Sequence, residues 1–205
     1  MARLRPYEDK EKSEENGLAD YYFDIETVPI DPKNPNDRAS LDPKTGKIIT
    51  IQYRRLNTST GSPIEPLTIL VEWDGSSERK ILELFKPLIT GNPWDFIPLG
   101  YNLKFEFEFL RQKFKDYFDV DFSADDFMER PKNDLKLIGV ILNDGIFKGA
   151  TLDSFTDKEH GGFKVPVWYR EKEYDRIIDY VRKEADAFLT FWQRLKKELP
   201  YLFAR

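Results

Sequence analysis

Along the first half of the chain, apolar residues come mostly in short β-branched and aromatic runs; towards its end they recur at helical spacing. "ADYYFDIETV", residues 19–28, reads as a buried strand, and the polar stretch "VPIDPKNPNDRASLDPKTGK" that overlaps its end reads as a long loop. "IITIQYRRL" and "PLTILVEW" are two more strand-like runs on either side of the turn-rich "NTSTGSP", so the pattern predicts three neighbouring antiparallel strands. "SSERKILELFKPLI" opens with a Ser cap, Ser76 or Ser77, and sets Ile81, Leu82, Leu84 and Phe85 on one helical face. "FIPLGYN" follows as a short strand. "KFEFEFLRQKFKDYF" is a helix with Phe105, Phe109 and Leu110 inward and Glu108 outward, despite its strand-like "FEFEF". A helix is expected ahead of Gly145, a helix and loop in "TLDSFTDKEHGGF", and a long amphipathic helix in "EKEYDRIIDYVRKEADAFLTFWQRLKKELP". Strands first, then strand and helix in alternation, imply an α/β domain with a central mixed sheet flanked by helices.

Composition limits what this domain can be. The chain has 205 residues, enough for one sizeable core, and 16 Phe and 10 Tyr to fill it. Residues 1–17 are charged without apolar period and are expected to be a disordered tail, leaving 18–205 as a single domain. With no Cys, a thiolate zinc site and a Cys nucleophile are excluded, and the single His leaves no plausible triad. Neither a G-x-x-x-x-G-K-[ST] loop nor a G-x-S-x-G elbow is present. No apolar run approaches the roughly 20 residues needed to cross a bilayer. The N-terminus also lacks the apolar core of a signal peptide, so a cytoplasmic protein with no membrane partner is expected.

Three acidic clusters then stand out. In a strand, residues two apart share a face, so Asp24 and Glu26 project together about 7 Å apart. Two carboxylates in that position repel unless neutralised, and a divalent cation is the simplest neutraliser. Oxygen ligands favour magnesium or manganese. Alone, "DIET" also fits a strand end with its acids in solvent. The second cluster is "NLKFEFEFL", where Asn102 ends a strand and Glu106 sits in the first helical turn, a place that also suits a dipole-capping acid. The third is "IIDYVRKEA", where Tyr180 and Glu184, four apart, meet on one helical face; alone, that pair also fits an ordinary surface helix.

Taken in order, these clusters resemble the three motifs of the DEDD (DnaQ-like) superfamily of 3′–5′ exonucleases. "FDIET" matches aromatic-Asp-x-Glu-Thr, "NLKFEFEFL" matches Asn-x-x-Phe-Asp with Glu106 at the Asp, and "IIDYVRKEA" matches the Tyr-type third motif with Glu184 at the Asp. "FDIETVP" and "DPKTGKIITIQY" are most similar to the exonuclease domain of family B DNA polymerases. The His-type third motif is absent, because His160 in "EHGG" lacks its partner acid. Two of the four acids are one methylene longer than usual, and Asp179 and Asp186 flank Glu184 as fallback ligands.

The resemblance implies an RNase H-like fold with a five-stranded sheet and a metal-dependent 3′–5′ exonuclease using two divalent ions, Mg2+ or Mn2+. Asp24, Glu26 and Glu184 would hold one ion, with Tyr180 orienting the attacking water, while Asp24 and Glu106 would hold the other. Asn102 and Thr27 would help place the 3′ end. The implied partner is nucleic acid, DNA rather than RNA and single-stranded. Its bases would find stacking and basic contacts among Tyr53, Arg54, Phe147, Lys148, Lys164, Trp168, Tyr169 and Arg170 in expected loops. Because of the two Asp-to-Glu departures, the alternative is a weak or inactive RNase H-like module that binds nucleic acid or protein.

Overall fold

The computed structural model describes residues 19–33, 38–123, 126, 129–156 and 162–202, with side chains up to 199. The expected tail 1–17 and His160 lie outside the described residues. Three strands form an antiparallel meander: β1 (Asp20–Pro29), β2 (Gly46–Leu56) and β3 (Thr68–Val71). β4 (Ile97–Gly100) pairs parallel to β1, and the two-residue β5 (Asn133–Asp134) pairs parallel to β4. The sheet order is β3-β2-β1-β4-β5. The first four strands were legible as apolar runs. β5 was not, because a two-residue strand in "KNDL" has no period to read.

Helices cover both faces. On one lie α1 (Glu78–Thr90) and α2 (Lys104–Phe118). Phe23, Ile25 and Ile51 of the sheet meet Ile81, Leu82, Phe85, Phe109 and Phe114 there, with Phe23 stacked on Phe85 at 5.2 Å between centroids. On the other face lies α5 (Tyr174–Leu202), after the short helices α3 (Lys136–Leu142) and α4 (Val165–Arg170). Ile177, Val181, Ala185, Phe188, Leu189 and Trp192 recur at three- and four-residue intervals on α5 and are buried against Tyr22, Val28, Ile49 and Leu99. Each buried Val, Leu, Ile or Phe among them contributes about 1.5–3 kcal/mol. Among the described residues no helix is long and apolar enough to cross a membrane.

Local expectations mostly stand. Ser77 caps α1 by accepting from the Lys80 N–H at 3.2 Å. Phe109 and Leu110 are buried, Phe105 packs at the edge of that core, and Glu108 faces solvent. Leu84 departs from its assigned face: it is exposed, because the buried stripe of α1 runs through Ile81, Leu82, Phe85 and Ile89. The helix expected in "TLDSF" is a single 3-10 turn, Leu152–Ser154. Gly100 ends β4 where any Cβ would collide with Leu103 and the Phe23 carbonyl, which lets the chain turn tightly towards α2.

Candidate metal centre

Both faces of β1 are covered, so its alternation separates a wholly apolar face from one that carries the acids between Tyr22 and Val28. Phe23 and Ile25 point to α1 and α2, while Tyr22, Asp24, Glu26 and Val28 lie on the α5 face. α5 supplies Tyr180 and Glu184, one helical turn apart. One carboxylate oxygen from each of Asp24, Glu26 and Glu184 lies within 4.8 Å of the other two, and all three residues are half-buried. At that separation each pair of charges costs about 3 kcal/mol at an effective dielectric constant near 20. A divalent cation held among them would offset a penalty of that size.

The fourth carboxylate is placed differently. Glu106 stands in the first turn of α2 and is 4% exposed, outside the 4.8 Å triplet but with Asp24 in hydrogen-bonding reach. Burial first, and the Asp24 charge second, hold its carboxyl well above the usual carboxylate range. Its Oε2 is buried and has no hydrogen-bond partner among the described residues. An all-oxygen triplet with an orphaned carboxylate oxygen behind it is a donor set that fits hard divalent cations.

Tyr180 hydrogen-bonds to Glu184, and its phenol is pushed far above the ordinary tyrosine range. Burial is the largest cause, followed by the charges of Glu26 and Glu184. A phenol so placed keeps its proton and acts by hydrogen bonding, not as a base.

Two positioning residues escaped the sequence reading. Gln52 on β2 is the register partner of Asp24 and donates from Nε2 to Asp24 Oδ2 at 2.9 Å. Thr50 Oγ1 donates to Gln52 Oε1 at 2.9 Å, and both side chains are wholly buried. The available signal was two polar residues at strand spacing inside the apolar run "IITIQY". The second is Asp134, whose Oδ1 accepts the Asn102 N–H at 2.8 Å and the Lys136 N–H at 3.0 Å. It pins Asn102, which adopts a left-handed backbone with φ of 70° that Asn tolerates.

A cavity of about 330 Å³ opens beside the triplet, with Asp24, Glu184, Asn102, Lys136 and Phe147 among its walls. Asn102 is thus brought to the site. Thr27 is buried next to Glu26, and its hydroxyl donates to the Ser40 carbonyl at 2.6 Å, which ties down the loop after β1. Asp179 and Asp186 are exposed and outside the triplet; Asp186 lies 3.8 Å from Arg54 instead.

The basic and aromatic candidates do not all lie in loops. Tyr53 and Arg54 are in β2, and Trp168, Tyr169 and Arg170 are in α4. Tyr53 packs on Phe85, Trp168 on Tyr180 and Tyr169 on Trp73. Phe147 and Lys148 remain in an exposed loop, and Lys164 in an exposed 3-10 turn.

No protein-family model matches the chain, and no curated protein matches it in sequence. Solved structures do match. The zinc-bound form of E. coli exonuclease I with single-stranded DNA superposes with a TM-score of 0.61 at 14% identity, over 91% of this chain and 42% of that one. E. coli exonuclease I with a dT13 oligonucleotide gives 0.60 at 14%, over 91% and 42%. Product-bound exonuclease I gives 0.58 at 14%, over 91% and 45%. The fold is RNase H-like. This RNase H-like chain spans less than half the length of the enzymes it matches. Its acidic centre sits where β1 meets α5 and the start of α2.

Proposed function

We propose that this protein is a metal-dependent 3′–5′ exonuclease acting on single-stranded DNA, a member of the DEDD superfamily with a Tyr-type third motif like that of family B polymerases. The observation that carries this reading is the triplet Asp24, Glu26 and Glu184 within 4.8 Å, with Tyr180 hydrogen-bonded to Glu184. The fold shared with exonuclease I, in structures that include single-stranded DNA and dT13 complexes, supports it and favours DNA.

Asp24, Glu26 and Glu184 would hold one Mg2+ or Mn2+, and Asp24 with Glu106 a second. Such ions supply charge neutralisation on both sides of an in-line phosphoryl displacement and lower the pKa of water. Gln52 holds Asp24 in one orientation, so that its two oxygens can serve two directions. Tyr180 keeps its proton at Oη and orients the attacking water by hydrogen bonding. Asn102 faces the cavity where a terminal nucleotide would sit, and Thr27 would place the 3′ end through its backbone.

A second reading, a weak or inactive module that binds nucleic acid or protein, is favoured by Glu106, which is longer than the usual Asp and lies outside the triplet. Incubation with 5′-labelled single-stranded DNA or RNA and Mn2+ separates the two. The exonuclease shortens the label stepwise from the 3′ end, DNA faster than RNA, and Asp24→Ala abolishes it. Oligonucleotide binding without shortening supports the module.

A further inference from the structure

The sheet ends differently on its two sides. β5, at one edge, is two polar residues long. β3, at the other, is "TILV", Thr68–Val71, with no charge, proline or bulge to discourage a further strand. The Glu72 N–H donates to the Ile49 carbonyl at 3.0 Å, which fixes the phase of the ladder: Thr68, Leu70 and Glu72 turn their peptide groups towards β2. Ile69 and Val71 therefore turn theirs outward, and no backbone bond from another described segment meets them. Their side chains lie on the α5 face. With Leu67 and Ile178 they form the apolar lining of a groove of about 720 Å³ between this edge and the start of α5.

Charge along the groove has an order. Asp175 stands nearly one helical turn before Ile178 and Arg182 one turn after it, and all three line the groove. The ion pairs nearby are Arg176 with Glu173 and Arg54 with Asp186, which leaves Asp175 and Arg182 exposed and without one among the described residues. A helix that presents acid, apolar residue and base in that order is complementary to itself run antiparallel. The strand edge has the same property: with Leu70 at the centre, Ile69 of one copy faces Val71 of the other, and each such pair exchanges N–H···O bonds in both directions. A second copy of this chain matches the edge and the charges at once, through a single two-fold axis.

We propose that two copies of this chain join edge to edge through β3, merging their five-stranded sheets into one, with Asp175 of each copy against Arg182 of the other. The axis runs normal to the sheet, so both α5 helices and both acidic centres lie on the same face of the joined sheet. The two grooves meet along the axis and their apolar linings are shut off from solvent. The interface uses none of the residues given a role in the nuclease reading and stands or falls apart from it.

Sedimentation equilibrium of the full chain tests this, with twice the chain mass expected at about 10 μM. Ile69→Pro removes an outward N–H that no bond within the chain uses, a substitution an edge strand tolerates, and should leave a folded monomer. Asp175→Lys sets two cations together and Arg182→Glu two anions, and each should weaken self-association at least about tenfold. Mixed in equal amounts, these two variants should form a dimer again, because every facing pair is then of opposite sign. That recovery separates a lost contact from a lost fold. A wild type that stays monomeric up to about 100 μM overturns the proposal and leaves the edge to an extended segment of another protein. A dimer that none of the three substitutions weakens overturns it as well, since the copies then meet elsewhere.

Discussion

Glu78, a buried acid, and the half-buried Asp24 centre lie on opposite faces of one sheet and are compensated in opposite ways. Glu78 Oε1 accepts the Ile48 N–H at 2.7 Å, Oε2 accepts the Tyr117 hydroxyl at 2.8 Å, and Lys113 Nζ lies 3.9 Å away. Burial still outweighs those contacts and raises its pKa, but every oxygen has a partner from the chain. Around the Asp24 centre, the charges that bear on Glu106, Tyr180 and Tyr22 belong to acids and a phenol, with no Lys or Arg among them. A buried acid that the fold neutralises internally is structural. A cluster of like charges facing one another is the arrangement a divalent cation would neutralise, as the proposed function requires.

The contrast can be broken at either end. The largest effect is expected from Asp24→Asn, which should lower the proposed exonuclease rate about a thousandfold or more. In the melting curve, saturating Mn2+ should raise the wild-type midpoint by about 5–10 °C, and that of Asp24→Asn far less. Without metal the variant should melt no lower than wild type, because one of three repelling charges is gone. An equal Mn2+ response in both proteins would erase the distinction. Next, Lys113→Met should cost about 3 kcal/mol of stability by denaturant titration, since Glu78 loses its cation while buried, yet keep the Mn2+ response.

Smaller effects sharpen the picture. Gln52→Leu should weaken Mn2+ binding about tenfold by calorimetry while retaining most of the stability, because Gln52 acts through Asp24. The smallest expected effect is in the pH dependence. The raised folded-state pKa of Glu78 means the native state binds more protons than the unfolded chain between the ordinary glutamate value and the raised one. Stability should therefore fall as pH rises through that window. Glu78→Gln should flatten the slope there, and an unchanged slope would remove Glu78 as its source.

Much of this was legible before any coordinates. Strand period alone put Asp24 and Glu26 on one side, and helix period put Tyr180 beside Glu184. Both relations are local and follow from backbone geometry. Gln52 was missed because a cross-strand partner depends on register, which is set by tertiary pairing. The aromatic candidates show the same limit: Tyr53, Trp168 and Tyr169 have the composition of a stacking surface, yet each packs on another ring. Phe147 differs from them only in what surrounds it.

The sequence by itself therefore determined the element order, the acid pairs within single elements and the likeness to a nuclease motif set. Only the tertiary structure decided which acids meet. Glu184 joins Asp24 and Glu26 because α5 buries its apolar stripe on the face of β1 that carries them. Glu106 stays behind Asp24, since the turn at Gly100 starts α2 at the end of β4. Those distances depend on how whole elements pack, a long-range property that no local period encodes.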